Sequence, residues 1–438
     1  MKPARSHQKN THNTGSRSGS LRLTPALFAH AEEVLAQVLR FEYPADGVLS
    51  HYFRAEREIG HADRGFIAET VYAVLRRWRS LTERCGGWAD PRLLLLAALV
   101  FERGWNLREL EGLLHGEERE TLAKAKAFDL SAAAPAVQTD LPDWLYDELA
   151  ATVEAADIQS LSAALNRPAP LDLRANLLKG SREALLTRLS EAGISAIPTP
   201  WSPLGLRLTG KPALSKQPAF LDGSLEIQDE GSQLLGLLLA PRRGEMVVDF
   251  CAGAGGKTLM LGALMRNTGR LYALDVSEKR LSKLKPRLAR SGLSNVHPVR
   301  IEHERDLKVK RLAGKADRVL VDAPCSGLGT LRRNPDLKWR QNADSIRELA
   351  VKQASILDAA ATLVRPGGRL VYATCSLLPA ENDAIADDFL ARHPDFQPLS
   401  AGEILSKQEI HIPGERLKLL PHLHNTDGFF AAVFERRV

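Results

Sequence analysis

The sequence predicts a multidomain α + α/β protein, with a helical N-terminal region, a small α+β connector and a C-terminal parallel α/β sheet. Three observations carry this expectation. Apolar residues recur at helical spacing as far as about residue 165, seven prolines punctuate residues 166–225, and from about 226 short apolar runs alternate with amphipathic segments. A chain of 438 residues has room for two or three domains. Its 44% hydrophobic and 26% charged residues are ordinary globular values, which exclude collagen-like and wholly disordered classes.

Residues 1–20 are polar, carry Lys2, Arg5, Lys9 and Arg17 without an acid, and lack the apolar core of a secretory signal. They read as a disordered basic tail on a cytoplasmic protein. Residues 21–165 are the helical region. Thr24 is placed to cap a helix opened by Pro25, with Leu27, Ala31, Val34, Leu35 and Val38 on one face. Phe66 to Trp78 holds a second amphipathic stripe, and Leu93–Phe101 is apolar all round, as a central buried helix requires. That run falls well short of the ~20 residues needed to span a bilayer, so no membrane partner is expected. Residues 166–225 are the connector, with strand-like runs at Leu171–Leu173 and Leu204–Leu208 and one helix over Ser181–Ala192 capped by Ser181. In residues 226–438 the runs Met246–Phe250, Arg270–Leu274, Val296–Ile301, Arg318–Val321 and Arg369–Ala373 read as parallel strands joined by helices, with a further strand in Asp427–Phe434.

Three motifs follow strands. Asp249-Phe250-Cys251-Ala252-Gly253-Ala254-Gly255-Gly256-Lys257-Thr258 is a Gly-rich turn opening a helix. It is not a P-loop, which needs Gly where Cys251 stands, nor a dinucleotide fingerprint, which needs Gly or Ala where Thr258 stands. Asp275, at the end of the next strand, suits a ribose. Turn and acid together suggest a nucleoside cofactor without a phosphate cradle, with S-adenosylmethionine the natural candidate. Asp322-Ala323-Pro324-Cys325-Ser326-Gly327 and Thr374-Cys375-Ser376 also follow strands, so both thiols face the ligand crevice. Neither stands in a C-x₂-C pair, which argues against zinc, and His411, His422 and His424 read as solvated loop residues. Four cysteines make no disulfide framework; Cys251 reads as packing within the turn, and Cys85 has no partner.

These motifs together resemble the Nop2/Sun family of RNA (cytosine-5)-methyltransferases, and the helical region resembles the NusB-like RNA-binding domain of the bacterial small-subunit rRNA methyltransferase B type. Further matching segments are Ile227–Glu230, Arg332–Asp336 and Asp427–Phe430. The resemblance implies a class I methyltransferase sheet of Rossmann-like form and a monomer acting on 16S rRNA, naked or partly assembled. It assigns the nucleophile to Cys375, proton loss and enzyme release to Cys325, base recognition to Asp322, and orientation of Asp322 or the base to Lys257. The cofactor would lie against Cys251, Ala252, Gly253, Ala254, Gly255, Gly256, Lys257, Asp275 and Asp322. The family turn reads Ala-Ala-Pro-Gly-Gly-Lys, so Gly253 and Ala254 are departures. For the acid on the adenine side we favour Glu302, with Glu304 and Asp306 as rivals. A cytosine-5 methyltransferase of tRNA or DNA, and a non-catalytic RNA-binding or ribosome-assembly protein on the same scaffold, are the alternatives.

Charge completes the reading. The net charge is +6, yet Lys279–Lys315 holds twelve Lys/Arg against Glu302, Glu304 and Asp306, an excess larger than that of the whole chain. Such a stretch suits a polyanion such as RNA. Arg332, Arg333, Lys338 and Arg340 are expected to hold phosphates as well, with Trp339 either a stacking platform for a base or a core anchor.

Overall fold

The computed structural model describes residues 23–152 and 155–438; the basic tail expected over residues 1–20 lies outside them. Helices Pro25–Val38, Ala45–Ala55, His61–Arg84 and Pro91–Phe101 pack around one apolar core. Thr24 caps the first, its Oγ1 accepting from Leu27 N–H at 3.2 Å, and Asp90 caps the last. Shorter helices follow as far as Leu165, and no strand is formed among the described residues before Leu171. Among the described residues no helix is long and apolar enough to cross a membrane.

Four short strands come next: β1 (Leu171–Ala175), β2 (Ala196–Pro198), β3 (Gly205–Leu208) and β4 (Leu225–Ile227). They form an antiparallel sheet in the order β2-β3-β1-β4, against which helix Arg182–Glu191 packs through Leu185 and Leu189. The expected cap is present, Ser181 Oγ accepting from Ala184 N–H at 3.2 Å.

The remaining strands are β5 (Met246–Asp249), β6 (Arg270–Asp275), β7 (Val296–Arg300), β8 (Ala316–Asp322), β9 (Val364–Thr374), β10 (Phe396–Leu399), β11 (Leu417–Leu419) and β12 (Phe429–Arg436). Their order is β10-β12-β9-β8-β5-β6-β7, with β11 beside β12. β5 to β9 run parallel, and β12 enters antiparallel between β9 and β10. The central strands are apolar on both faces because helices cover both, which is why they read as unbroken apolar runs. The chain leaves β5 towards β6 on one side and reaches β8 on the other. That reversal opens a crevice at the strand ends between β5 and β8.

Residues 332–340 correct an expectation. They join the helical bundle to the sheet and do not face solvent as a phosphate-binding strip. Lys338 is 1% exposed, and its Nζ donates to the Arg76 carbonyl and to Asn166 Oδ1, both at 2.9 Å. Trp339 Nε1 donates to Leu75 O at 2.8 Å, and its ring meets Trp78 edge-on at 5.0 Å, so Trp339 is a core anchor. Arg77 departs from helical geometry in the middle of His61–Arg84, and the Ser80 N–H turns to Asp140 Oδ1. Beside that kink the Leu75 and Arg76 carbonyls accept from outside their helix. Arg332 donates to Thr426 O and Asn425 Oδ1, Arg333 is paired with Asp427 and Asp229, and Arg340 with Asp336. With these hydrogen bonds and ion pairs made inside the protein, the five side chains hold the fold together.

Candidate active site

A cavity of about 760 Å³ occupies the crevice. Its wall includes the turn after β5, Asp275 at the end of β6, Asp322 at the end of β8, and both thiols. Of the turn, Cys251, Ala252, Gly253, Ala254, Gly256 and Lys257 line it. Gly255 does not. It takes φ +84° at the start of helix Gly256–Leu264, and a Cβ there would overlap Leu284, so this glycine serves backbone conformation and close packing.

Asp275 is fixed from both sides. Its Oδ2 accepts from Gly253 N–H at 2.8 Å and its Oδ1 from Ser277 N–H at 2.7 Å, which ties β6 to the Gly-rich turn. Each oxygen retains acceptor capacity towards the cavity. The acid beyond β7 is corrected. Glu302 is exposed and outside the wall, whereas Glu304 lines it, with Oε1 accepting from Ser355 Oγ at 2.7 Å. That hydrogen bond holds the Glu304 carboxyl below the ordinary carboxylate range. Asp306 is engaged elsewhere, accepting from the Glu302 and Lys308 amides as the cap of the next turn. With carboxylates at Asp275 and Glu304 and apolar Val276 and Ile301 in the same wall, the site fits the nucleoside half of S-adenosylmethionine.

On the far side Lys257 Nζ contacts Asp322 Oδ2 at 2.7 Å and lies 5.8 Å from the centre of the Phe429 ring. Burial opposes the lysine charge, but Asp322 first, then Cys375 and Asp249, together outweigh it and raise the ammonium above its ordinary pKa. The Cys325 and Cys375 sulfurs are 3.4 Å apart, one at the end of β8 and the other at the end of β9. The hydrogen bond to Cys375, then burial, push the Cys325 thiol well up. Burial pushes Cys85 up to about 11 and Cys251 well above its ordinary value, which disfavours the thiolate at both. Among the described residues no group of three His, Cys, Asp or Glu side chains is arranged to hold a metal.

Two groups of residues in or behind this wall carry no motif. Arg174 on β1 donates from Nη1 to Gly256 O at 2.8 Å, and Arg287 donates to Ala254 O at 2.6 Å while paired with Glu226 on β4. The small sheet thus braces the Gly-rich turn. Glu381, fully buried, accepts hydrogen bonds from Ser326 and Ser376, the residues that follow the two cysteines. An acid in a loop beyond Thr374-Cys375-Ser376 gives no signal of this in the sequence.

Asp249 shows what the site costs. Burial pushes its carboxyl up to about 7, against a hydrogen bond from Thr258 Oγ1 at 2.6 Å. The native state therefore keeps a proton that the unfolded chain releases near pH ~4. The destabilisation is absent below that pH and grows to its full value above about pH 7. Asp249→Asn is accordingly expected to melt higher than wild type at pH 8 and level with it at pH 4. Equal melting temperatures at both pH values would contradict the buried-acid assignment.

Comparison with known proteins agrees with this geometry. Residues 236–435 match the family described as 16S rRNA methyltransferase RsmB/F, and residues 141–215 match the ferredoxin-like domain of Methyltr_RsmF/B-like proteins. The chain is 36% identical over 412 residues to a probable ribosomal RNA small subunit methyltransferase B of Synechocystis sp., covering 85% of this chain and 91% of that one. It is 35% identical over 421 residues to ribosomal RNA small subunit methyltransferase B of Erwinia tasmaniensis, covering 86% and 92%. Among solved structures, PH0851 superposes with a TM-score of 0.74 at 26% identity, covering 95% of this chain and 100% of that one. A methyltransferase homologue protein from Pyrococcus horikoshii superposes at 0.59 with 29% identity, covering 70% and 100%. A matching family sheet and this identity along most of the length place the chain in the RsmB/F family of small-subunit ribosomal RNA methyltransferases.

Proposed function

We propose that the protein methylates carbon 5 of a cytosine in small-subunit rRNA through a covalent adduct between the base and Cys375. The contact between Cys325 and Cys375, beside the Lys257–Asp322 pair and open to the cofactor cavity, carries this reading. The cofactor is S-adenosylmethionine, which when bound supplies an electrophilic methyl group. Carbon 5 of cytosine is too weak a nucleophile to take it directly. Addition of the Cys375 sulfur, as thiolate, to carbon 6 pushes electron density to carbon 5, which would then take the methyl group as the bond from methyl to the cofactor sulfur breaks, with S-adenosylhomocysteine the leaving group. Asp322, held by Lys257, is placed to hydrogen-bond the base edge and stabilise the adduct. After methyl transfer the Cys325 proton passes to solvent and the Cys325 thiolate takes the carbon-5 proton. The electron pair left behind restores the double bond between carbons 5 and 6, the bond from carbon 6 to sulfur breaks, and Cys375 leaves as thiolate.

A base stacked in a helix cannot reach this cavity, so the substrate is a loop or flipped-out nucleotide. Arg280 in the cavity wall and exposed Lys279, Lys283 and Lys285 on the same helix supply charge for phosphates. Arg287 and Arg290, from the same basic stretch, are instead paired with Glu226. A contribution of the NusB-like helical bundle to RNA binding is supported by a second cavity bordered by Arg40, Tyr43, His51 and Arg54, where Tyr43 is 68% exposed.

The test is incubation with labelled S-adenosylmethionine and small-subunit rRNA, followed by digestion to nucleosides. Label in 5-methylcytidine is expected, and label in any other nucleoside contradicts the reading. Within the cofactor wall, Asp275→Ala is expected to weaken S-adenosylhomocysteine binding at least ~10-fold, the scale of one lost charge-assisted hydrogen-bond site. Glu304→Ala should weaken it less, and Glu302→Ala should leave it within about twofold of wild type, since that side chain makes no part of the wall. Calorimetric titration reads all three, and a larger loss in Glu302→Ala than in Glu304→Ala would contradict the assignment.

A further inference from the structure

Glu381 is an ionisable group that methyl transfer, as derived above, does not use. It is 0% exposed, and no Lys or Arg among the described residues is paired with it. An isolated buried carboxylate is costly unless hydrogen-bond donors replace the lost water. Here there are four. Ser326 N–H and Gln353 Nε2 donate to Oε1 at 2.8 and 2.9 Å, and the Ser326 and Ser376 hydroxyls both donate to Oε2. Gln353 also donates to Pro324 O at 3.0 Å, and the two serine oxygens are 3.2 Å apart. The Tyr372 hydroxyl and the neighbouring Asn382 secure the segment itself, through Glu381 O and Ser376 O.

The two serines each follow a reactive cysteine, so one carboxylate bridges the Cys325-Ser326 and Cys375-Ser376 pairs from behind. We propose that Glu381 is a positioning residue of methyl transfer, holding Cys325 and Cys375 in contact through Ser326 and Ser376 and placing a fixed negative charge behind Cys325. The inference rests on the covalent reading given above. A charge there favours the arrangement in which Cys325 keeps its proton while Cys375 attacks, in line with the raised Cys325 thiol, to which Cys375, burial and Glu381 all contribute. The titratable groups around Cys325 also include Cys375 in contact with it, Tyr372 on β9, and Asp249, Cys251, Lys257, Asp322 and Lys352 in the cavity wall.

Two variants of the full chain separate the bridge from the charge. Glu381→Ala removes every hydrogen bond, whereas Glu381→Gln keeps the shape and removes the charge. Both should bind S-adenosylhomocysteine within about threefold of wild type, because Glu381 is no part of the cavity wall. In Glu381→Ala, kcat on rRNA should fall at least ~10-fold with KM within about threefold, as loss of alignment without loss of binding requires. In Glu381→Gln, the pH midpoint for iodoacetamide alkylation of Cys325, followed on its own peptide by mass spectrometry, should move down by about one unit or more. A structural role alone would not move that midpoint. Wild-type kcat in Glu381→Ala, or an unmoved Cys325 midpoint in Glu381→Gln, overturns the proposal. If Glu381→Ala does not fold, the alkylation midpoint in Glu381→Gln still decides. If wild type makes no 5-methylcytidine, the covalent reading falls, while the midpoint continues to test whether Glu381 acts on Cys325.

Discussion

Cys375→Ala is expected to form no methylated RNA above background, a loss of at least ~10³-fold, because removing a covalent nucleophile removes the route and not merely a contact. Cys325→Ala should fail differently. Its Cys375 can still add to carbon 6 and carbon 5 can still take the methyl group, but proton loss is unassisted and the bond to sulfur persists. The RNA and protein should then migrate together on a denaturing gel. Because the sulfurs are only 3.4 Å apart, exchange of their roles is the outcome to watch for. An adduct that accumulates in Cys375→Ala, with no methylated RNA from Cys325→Ala, would reverse the assignment.

The second large effect is expected at a residue that bears no chemistry. Gly329 N–H donates to the Cys375 carbonyl at 2.8 Å, and Gly329 O accepts from Gly428 N–H at 2.8 Å, so three loops meet at one backbone position. A Cβ on Gly329 would stand 2.8 Å from the Cys375 oxygen and 2.7 Å from the Gly428 carbonyl carbon, closer still to the Gly428 oxygen. None of these is a side chain that can swing away. Gly329→Ala must therefore displace the backbone that carries the nucleophile. Misplacement by about 1 Å costs on the order of 100-fold in rate, and such overpacking about 1–3 kcal/mol of stability. Gly65→Ala is the matched control, since a Cβ at this helical site meets nothing within 4 Å. The kcat ratio and a urea melt check both variants, and a wild-type rate in Gly329→Ala would contradict the packing argument.

What the sequence revealed, and what it hid, follows from the range of the interactions. The strands of the large sheet and the turn after β5 are written in local pattern: apolar runs, a terminal acid, then small residues. Asp275, Asp322, Cys325 and Cys375 could be placed in one crevice because each follows a strand, and parallel strands deliver their ends to one edge. The acid after β7 was misplaced by two residues, since Asp306 captures the Glu302 amide and turns the loop so that Glu304 faces inward. The cations Arg332, Arg333 and Lys338 looked like surface charge because their partners are distant in sequence. Asp229 precedes them by about a hundred residues and Arg76 by more than two hundred, and no local pattern announces such pairing. Glu381 escaped for the same reason. Its importance lies in joining two serines fifty residues apart, which only the neighbouring positions of β8 and β9 bring together.

The covalent adduct is the centre of the account, and its position on the chain is the most direct measurement. Cys325→Ala is incubated with S-adenosylmethionine and small-subunit rRNA, denatured, digested with nuclease and protease, and mapped by mass spectrometry. The predicted result is a cytidine carrying one added methyl group, joined to the peptide that contains Cys375. An adduct on any other residue, or unimpaired turnover with no adduct at all, would contradict it.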